Sequence, residues 1–404
     1  MKSADRTKPL AIVMGRQYAT RLTLARSAGM VGCDVVLIHT DRLTYENRLM
    51  KIDKSSKYVK EYLYSPQSDE KALVDTILGY CNKKRKVVLL PADDWVASVI
   101  DRYHDLLSPH CLLPNIHNRQ GEIIKLMDKF HQKGIAKRIG LHVAKGWLCN
   151  VIDGEYQIPD GVTYPCFTKP QESYSGHLKA FLRKCNSESE LRSTLNKISK
   201  VNKKTILIEE YIEIEKEYGV QGMAIKGVCV APSAIEKGLI RQGMTATGKI
   251  FPIDRMPELE EKLNAFLKET SMTGIFDMEF YESKGVLYFN EFNVRLGANG
   301  FAVTYGVANI PGLYVKYMLG DSGGNYNGPI HFEEQSFASE KVLRDLFFDK
   351  IITYKQYKKT ISKDAEILCI KNELDNKPFK VFSKIELILP FWRWCREAKR
   401  KMKN

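Results

Sequence analysis

The sequence predicts an α/β chain with an open, mostly parallel sheet at the front, a small mixed lid, and a larger strand-rich unit behind it. Three observations predict this. Short apolar runs alternate with helical segments over about the first 115 residues, as in a parallel sheet with helical crossovers. A strand, a polar loop, a helix and a second strand follow one another over residues 164–212. Two acid-bearing strands, at 274–280 and from 286, flank a short polar turn, as in a hairpin.

Taken in order, residues 10–14 (Leu-Ala-Ile-Val-Met) read as a buried strand entering a turn at Gly15. Residues 20–28 read as a helix stopped near Gly29, and 34–39 as a second strand. A later strand covers 87–91, and 95–103 reads as a helix. Gly15 stands without a GxGxxG pattern, so the dinucleotide fingerprint is absent. A ligand can still sit beyond the carboxyl ends of such strands, near Gly15, Arg16, Asp93 and Asp94. For the two aspartates, a helix N-cap after Pro91 is the equal alternative.

Residues 122–138 read as one helix carrying Asp128 and Lys129. Residues 164–169 form an extended apolar run ending in Lys169, followed by a polar loop to 177 and a helix from 178. The strand 205–208 leads into Glu209, Glu210, Tyr211 and Ile212. Further strands are expected at 219–230 and 286–289, with a turn over 281–285, and Pro311 starts a helix to 319. The glycine-rich stretch 320–327 reads as a linker. The expected units are a first α/β domain over 1–115, a linker helix and lid over 116–212, a larger unit over 213–330, and a basic mixed-helical extension over 331–404.

Composition narrows the function classes. A chain of 404 residues with 44% apolar content has room for more than one core. The net charge of +14 invites nucleic acid, but net charge alone does not specify chemistry. No aromatic-basic sheet pattern or zinc-finger spacing accompanies it, so no specific nucleic-acid partner is expected. Nine cysteines lie singly with no CxxC pair, which argues against a disulfide framework and a cysteine zinc site. The first residues lack a signal-peptide core, no run is long enough for a membrane helix, and a cytoplasmic location is the simplest expectation. The end, with Phe391, Trp392 and Trp394 beside Arg396, Lys399, Arg400, Lys401 and Lys403, offers two readings. One is contact with an anionic membrane surface, peripheral at its inner face; the other is a terminal helix docked by its tryptophans.

The strongest chemical signal is Glu279 with Glu291 and Asn293. Residues two apart on a strand share a face, and a hairpin brings the two strands together. Two carboxylates and an amide oxygen in one place suit magnesium, or manganese, in a pair of ions bridging nucleotide phosphates. The rival reading is a solvated hairpin edge, which does not explain why the acids are set among Phe276, Met278, Phe280, Phe289 and Phe292. Asp277 reads equally as a further ligand or as a salt-bridge partner. Arg295 follows closely, where a guanidinium can hold a phosphoryl group or a carboxylate bidentately, with Gly297 and Gly300 allowing close backbone approach. Lys169 at a strand end and Lys129 on a separate element read as phosphate contacts. In the loop, Ser175 and Gly176 offer donors to phosphate, while His177 is as readily an ordinary loop histidine. Either Glu209 or Glu210 can accept an adenine amine beside the backbone of Ile212, and Glu217 can accept from ribose hydroxyls.

In their order and separation these segments resemble the ATP-grasp superfamily, in its branch similar to carbamoyl-phosphate synthetase and biotin carboxylase. The marks are Asp128-Lys129-Phe130, Tyr164 to Pro170, Ile208 to Ile212, Glu217 to Val220, Phe276 to Phe280, and Asn290 to Arg295, spanning about residues 1–320. The resemblance implies an ATP-grasp fold with a preceding open parallel-sheet domain and a small α+β nucleotide lid. It implies that Lys129 and Lys169 contact the α- and β-phosphates, Glu209 and Ile212 adenine, and Glu217 the ribose. It also implies that Glu279, Glu291 and Asn293 hold magnesium and that Arg295 serves the phosphoryl group or acyl phosphate. Val294 stands where the family often has proline, the glycine loop is poorer, and no biotin-attachment motif is evident, which favours ligation over carboxylation.

The activity this implies is ADP-forming ligation: a carboxylate is activated as an acyl phosphate and attacked by an amine, with an amino acid or peptide-like substrate as the default. Arg16 and Arg241 are the expected contacts for a substrate carboxylate. The rivals are a related enzyme using a thiol or another acceptor, and a non-catalytic protein binding nucleotides or an anionic surface. A homodimer is expected by family analogy alone.

Overall fold

The computed structural model describes residues 8–41, 49–81, 85–152, 154–174, 182–200, 205–321 and 332–385. Among them, no helix is long and apolar enough to cross a membrane. The aromatic-basic end at 391–403 and the linker residues 322–327 lie outside the described residues.

The first unit is a four-stranded parallel sheet in the order β3-β2-β1-β4, built from β1 (Leu10–Gly15), β2 (Asp34–His39), β3 (Val59–Tyr64) and β4 (Val87–Pro91). Every residue of β1 and β4 is buried, which is why both read as unbroken apolar runs. The edge strand β3 carries Lys60 and Glu61, and its apolar signal is too weak to read from sequence. Helix α1 (Tyr18–Met30) follows β1, and ten of its thirteen residues are buried. At the end of β1, Gly15 takes φ +150°, and a Cβ there would lie 2.9 Å from both Ala92 Cβ and Asp93 Oδ2. The chain ends of β1 and β4 can therefore meet only through glycine.

Asp93 caps α2 (Asp94–Arg102) by accepting from Val96 N, so the capping reading holds for this aspartate. The single helix expected over 122–138 is broken. Glu122–Leu126 ends before Asp128, whose carboxylate accepts from Phe130 N at 2.8 Å and His131 N at 3.1 Å and starts α3 (Lys129–Arg138). A short acidic side chain gains more by capping orphan amides than by lying within a helix.

The lid is an antiparallel sheet in which β5 (Gly146–Ile152), β6 (Cys166–Pro170), β7 (Arg183–Cys185) and β8 (Thr205–Glu210) take the order β7-β6-β8-β5. Its helix α4 (Glu188–Ser199) starts ten residues later than expected from 178, because β7 intervenes and Ser187 supplies the cap to Glu190 N.

Behind it, one large sheet runs β15-β14-β11-β10-β9-β12-β13. Its strands are β9 (Lys216–Ile225), β10 (Val228–Lys237), β11 (Thr247–Pro252), β12 (Met272–Ser283), β13 (Val286–Asn293), β14 (Gln335–Ala338) and β15 (Ile367–Leu368). The single strand expected over 219–230 is in fact two, turning at Lys226 and Gly227 with φ of 49° and 81°. Lys284 and Gly285 make the same kind of two-residue turn between β12 and β13, with φ of 52° and 73°. Positive φ at both positions matches the twist of adjoining strands. Helix α5 (Pro257–Thr270) packs Leu263, Phe266 and Leu267 onto this sheet.

The described part of the C-terminal segment combines helices, among them Glu340–Phe348 and Tyr354–Lys359, with two strands. Its strands β14 and β15 extend the large sheet, and its buried Asp375 meets Arg26 of α1 at 3.0 Å. Arg26 spends all five N–H groups on Asp375, Ile370 O, Tyr305 and Cys369 O, binding the first sheet to the end of the chain.

Candidate active site

The acidic hairpin owes its geometry to one bulge. In the β12–β13 pair Glu279 faces Glu291 and Asp277 faces Asn293, but Phe280 faces Phe289, so Asn290 is an extra residue. Strict alternation would put Phe289 and Glu291 on one face. The bulge instead lets both Phe289 and Phe292 enter the core. Phe292 stacks on Phe266 and Phe276 at 4.8 and 5.7 Å, and Phe289 meets Phe266 and Phe280 at 5.8 and 6.1 Å. Glu291 is left facing the cleft beside Glu279, and Asn290 is re-aimed so that its Oδ1 accepts from Lys169 Nζ at 3.2 Å.

Facing this hairpin is a set of buried lysines. Lys129 and Lys133 lie one helical turn apart on α3, and Lys169 lies on β6. Glu209 on β8 pairs with Phe167 in register, which sets it diagonally beside Lys169 on the same face. Its carboxylate bridges two ammonium groups, with Lys133 Nζ at 2.6 Å and Lys169 Nζ at 2.7 Å. Burial acts to raise the Glu209 pKa, but Lys169 and Lys133 outweigh it and hold the carboxyl below its ordinary value. Burial pushes the Lys133 ammonium down, against the pull of Glu209. Both oxygens of Glu209 therefore lie at ion-pair distance from an ammonium group. Glu210 likewise uses its side chain to accept from Lys145 N at 2.8 Å.

At the acidic end, Lys237 closes β10 directly opposite Glu217 of β9. Its Nζ lies 3.4 Å from Glu217 and 3.2 Å from Glu279. Burial acts to lower the Lys237 pKa, but Glu279, Glu217 and Asp277 together raise it, so it stays charged. Burial, then repulsion from Glu279, pushes the Asp277 carboxyl up to about 7. Arg295 is held by Asp94 of the first unit, at 2.9 Å from Nε and 3.3 Å from Nη2, with Asp277 at 3.7 Å. Burial opposes its charge, and Asp94 and Asp277 raise its pKa above the ordinary value. Asp94 and Asp277 are thus both ion-pair partners of Arg295. An added Cβ at Gly297 would fall 2.6 Å from Asp277 Oδ2, so the close approach around this arginine requires glycine.

Glu279 and Glu291 are cross-strand partners, and both line the cleft. Asn293 is 2% exposed, and neither of its amide atoms has a partner among the described residues. An orphaned amide next to two carboxylates fits a hard cation with oxygen ligands. No group of three or more His, Cys, Asp or Glu side chains close enough to share an ion occurs among the described residues, so the set rests on two acids and this amide.

Of the residues expected from sequence, Lys129, Lys169, Glu209, Glu210 and Ile212 line one cavity of about 410 Å³. Glu217, Glu279, Glu291 and Arg295 complete its other wall, with Asn293 buried below. Arg16 borders a second, adjoining cavity, where its backbone N–H donates to Asp93 at 2.7 Å. Arg241 is a correction. It is bound to Asp349 at 2.6 Å and lines neither cavity, while its neighbours Gln242, Gly243 and Met244 do face the cleft. A short hairpin over 240–245 turns the arginine out toward Asp349, at the end of the helix Glu340–Phe348. Ser175, Gly176 and His177 lie outside the described residues.

Sequence reasoning missed Lys133 and Lys237. Four-residue spacing from Lys129 was a legible signal for the first. The second was hidden, because its position opposite Glu217 exists only once 216–237 is folded as two strands.

Neither a protein-family model nor a curated protein sequence matches this chain. Solved structures do. An L-amino acid ligase from Bacillus licheniformis aligns over 82% of this chain and 80% of its own, with 16% identity and a TM-score of 0.58. The biotin carboxylase domain dimer of Hydrogenobacter thermophilus 2-oxoglutarate carboxylase, in complex with MgADP, ADP and bicarbonate, aligns over 81% and 73%, with 18% identity and a TM-score of 0.61. N5-carboxyaminoimidazole synthetase from Staphylococcus aureus complexed with ADP aligns over 87% and 88%, with 15% identity and a TM-score of 0.59. These likenesses show that the chain has the ATP-grasp fold.

Proposed function

We propose that this chain is an ADP-forming carboxylate–amine ligase using Mg-ATP. One observation carries the reading. Glu279 and Glu291 face each other across the β12–β13 pair, and the same cavity presents Lys129 and Lys169 from separate elements. Acidic oxygens for a cation opposite ammonium groups for phosphates is the arrangement a metal-bound triphosphate requires.

In this reading the adenine lies against the chain at Glu210 to Ile212, and Glu217 accepts from the ribose. Lys129 and Lys169 neutralise phosphate oxygens, and the ion pair with Glu209 fixes where the Lys169 ammonium can reach. Glu279, Glu291 and Asn293 would hold magnesium, which neutralises charge on the phosphates when bound. The substrate carboxylate attacks the γ-phosphorus and ADP leaves. The resulting acyl phosphate is then attacked by a neutral amine, and inorganic phosphate leaves with the acyl–oxygen bond broken. Arg295 and Lys237 keep their charge despite burial, because their acidic partners outweigh it, so both remain cations beside the transferring group. Closure of the lid sheet excludes water from the acyl phosphate.

The partners in this reading are small molecules. The test is an ADP-release assay with Mg-ATP and paired pools of carboxylic acids and amines. Release that needs one member of each pool is expected. Release that ignores either pool, or none with any pair from a chain that binds MgADP, overturns the ligase assignment.

A further inference from the structure

Two arginines sit one and a half turns apart on α1 and are equally buried, at 0% and 1% exposure, yet their hydrogen bonding differs. Arg26 has a partner for every N–H. Arg21 donates from Nε to Asp53 at 2.7 Å and from Nη1 to Gly15 O and to His39 Nδ1, the latter at 2.8 Å, while its Nη2 has no partner among the described residues. A guanidinium nitrogen can only donate, so His39 Nδ1 must accept, and the ring proton of a neutral His39 lies on Nε2. Burial, then the neighbouring Arg21, pulls His39 down to about 4, so the ring is neutral at physiological pH. His39 Nε2 also has no partner among the described residues. Tyr62 and Tyr64 pack on the ring at 6.5 and 6.1 Å and hold its plane.

Both unmet groups are donors, and both residues border one cavity of about 290 Å³. The same cavity abuts the first turn of α1, a thirteen-residue helix whose N-terminus has no side-chain cap and no acid, so its orphan amides add further donors. Buried donors without acceptors call for an acceptor-only ligand, which is an anion. The charge balance chooses among anions. Arg21 is matched by Asp53, Arg16 faces Asp93 at 3.9 Å, Lys341 shares Asp345 with Arg344 at 2.9 and 3.1 Å, and Asp41 also borders the cavity. So little net positive charge suits a single carboxylate better than a phosphate carrying nearly two charges. Leu49, Met50, Met244 and Val342 supply apolar wall. Gln17, Met244 and Ala298 belong to this cavity and to the phosphate cleft alike, so the two adjoin.

We propose that this second cavity is the acceptor subsite. It takes an amino acid with an apolar side chain, whose unreacting carboxylate is held by Arg21 Nη2, His39 Nε2 and the start of α1, and whose amine is turned toward the phosphate cleft. The assignment as acceptor rests on the ligase reading above; the carboxylate site itself does not.

The test is binding to the full-length chain, by calorimetry, of leucine, methionine and phenylalanine in both enantiomers, each beside its carboxamide and its decarboxylated amine. MgADP and inorganic phosphate are titrated in parallel. At least one free acid is expected to bind, with its amide and decarboxylated amine weaker by roughly tenfold or more. His39→Asn keeps an acceptor near Arg21 but removes the Nε2 donor, and should weaken the acid by roughly five- to twentyfold. Equal binding of acid and amide, no binding of any acid, preference for inorganic phosphate, or a folded His39→Asn chain with unchanged affinity each overturn the proposal. An acid bound as expected by a chain that does not bind MgADP leaves the carboxylate site standing and removes the ligase reading.

Discussion

Lys129 Nζ lies 2.7 Å from Glu291 Oε2, so a residue expected to hold phosphate and a residue expected to hold a cation are paired with each other. In the ligase reading a triphosphate and its magnesium ion enter together between them, since either alone would leave one of the two charges unmatched. Glu291→Gln should therefore cut magnesium-dependent ADP formation by roughly a hundredfold or more. Metal-free ADP should bind the variant as well as, or better than, the parent chain. Calorimetry with and without magnesium checks this. Parallel losses in both conditions would sink the pairing argument.

Lys237 stands between Glu217 and Glu279, where it neutralises two carboxylates at once. Lys237→Met removes a cation from the place that the ligase reading gives to phosphoryl transfer, and leaves the acids less compensated. ADP formation should fall by roughly a hundredfold, while manganese, followed by its paramagnetic signal, should bind at lower concentration than in the parent. Weaker manganese binding would contradict the placement of Lys237 against the metal ligands.

Glu340 is fully buried at the start of the helix Glu340–Phe348, and burial pushes its pKa up to about 7 although the N–H groups of Ile370 and Lys371 act to lower it. The folded chain therefore holds this proton more tightly than the unfolded chain does. Its contribution to stability is complete below about pH 4.3 and is lost as pH rises through about 7. Relative to Glu340→Gln, the parent should lose on the order of 1–3 kcal/mol between pH 5 and pH 8. Urea unfolding across that range reads the difference in slope; parallel curves would refute it.

Asp375 is the acid that neutralises Arg26, and it also accepts from Ser56 Oγ at 2.6 Å and Lys57 N at 3.0 Å. Asp375→Ala strands a guanidinium in the core and should cost about 3–5 kcal/mol. Adding Arg26→Met should recover part of that loss, because the stranded charge goes with it. Chemical denaturation of the two single variants and the double variant checks this. A double variant as unstable as the sum of the singles would mean that the two residues act independently.

Local chemistry made much of this chain legible. The unbroken apolar runs of β1 and β4, buried on both sides, could be read at once, as could the acidic pair set among phenylalanines, while Asp93 as a cap was one of two equal readings. Motif order alone brought Lys129, Lys169, Glu279 and Glu291 into one site. Pairing was not legible. Whether 216–237 is one strand or two depends on a turn at Lys226 and Gly227, and only that turn places Lys237 opposite Glu217. The bulge at Asn290 was not legible either, because it exists only in the register with β12. The partners of Arg21, Arg26 and Arg295 come from positions 32, 349 and 201 residues away. A sequence fixes which groups carry charge. Only the folded chain decides which of those charges are buried together, since burial is what makes a partner obligatory.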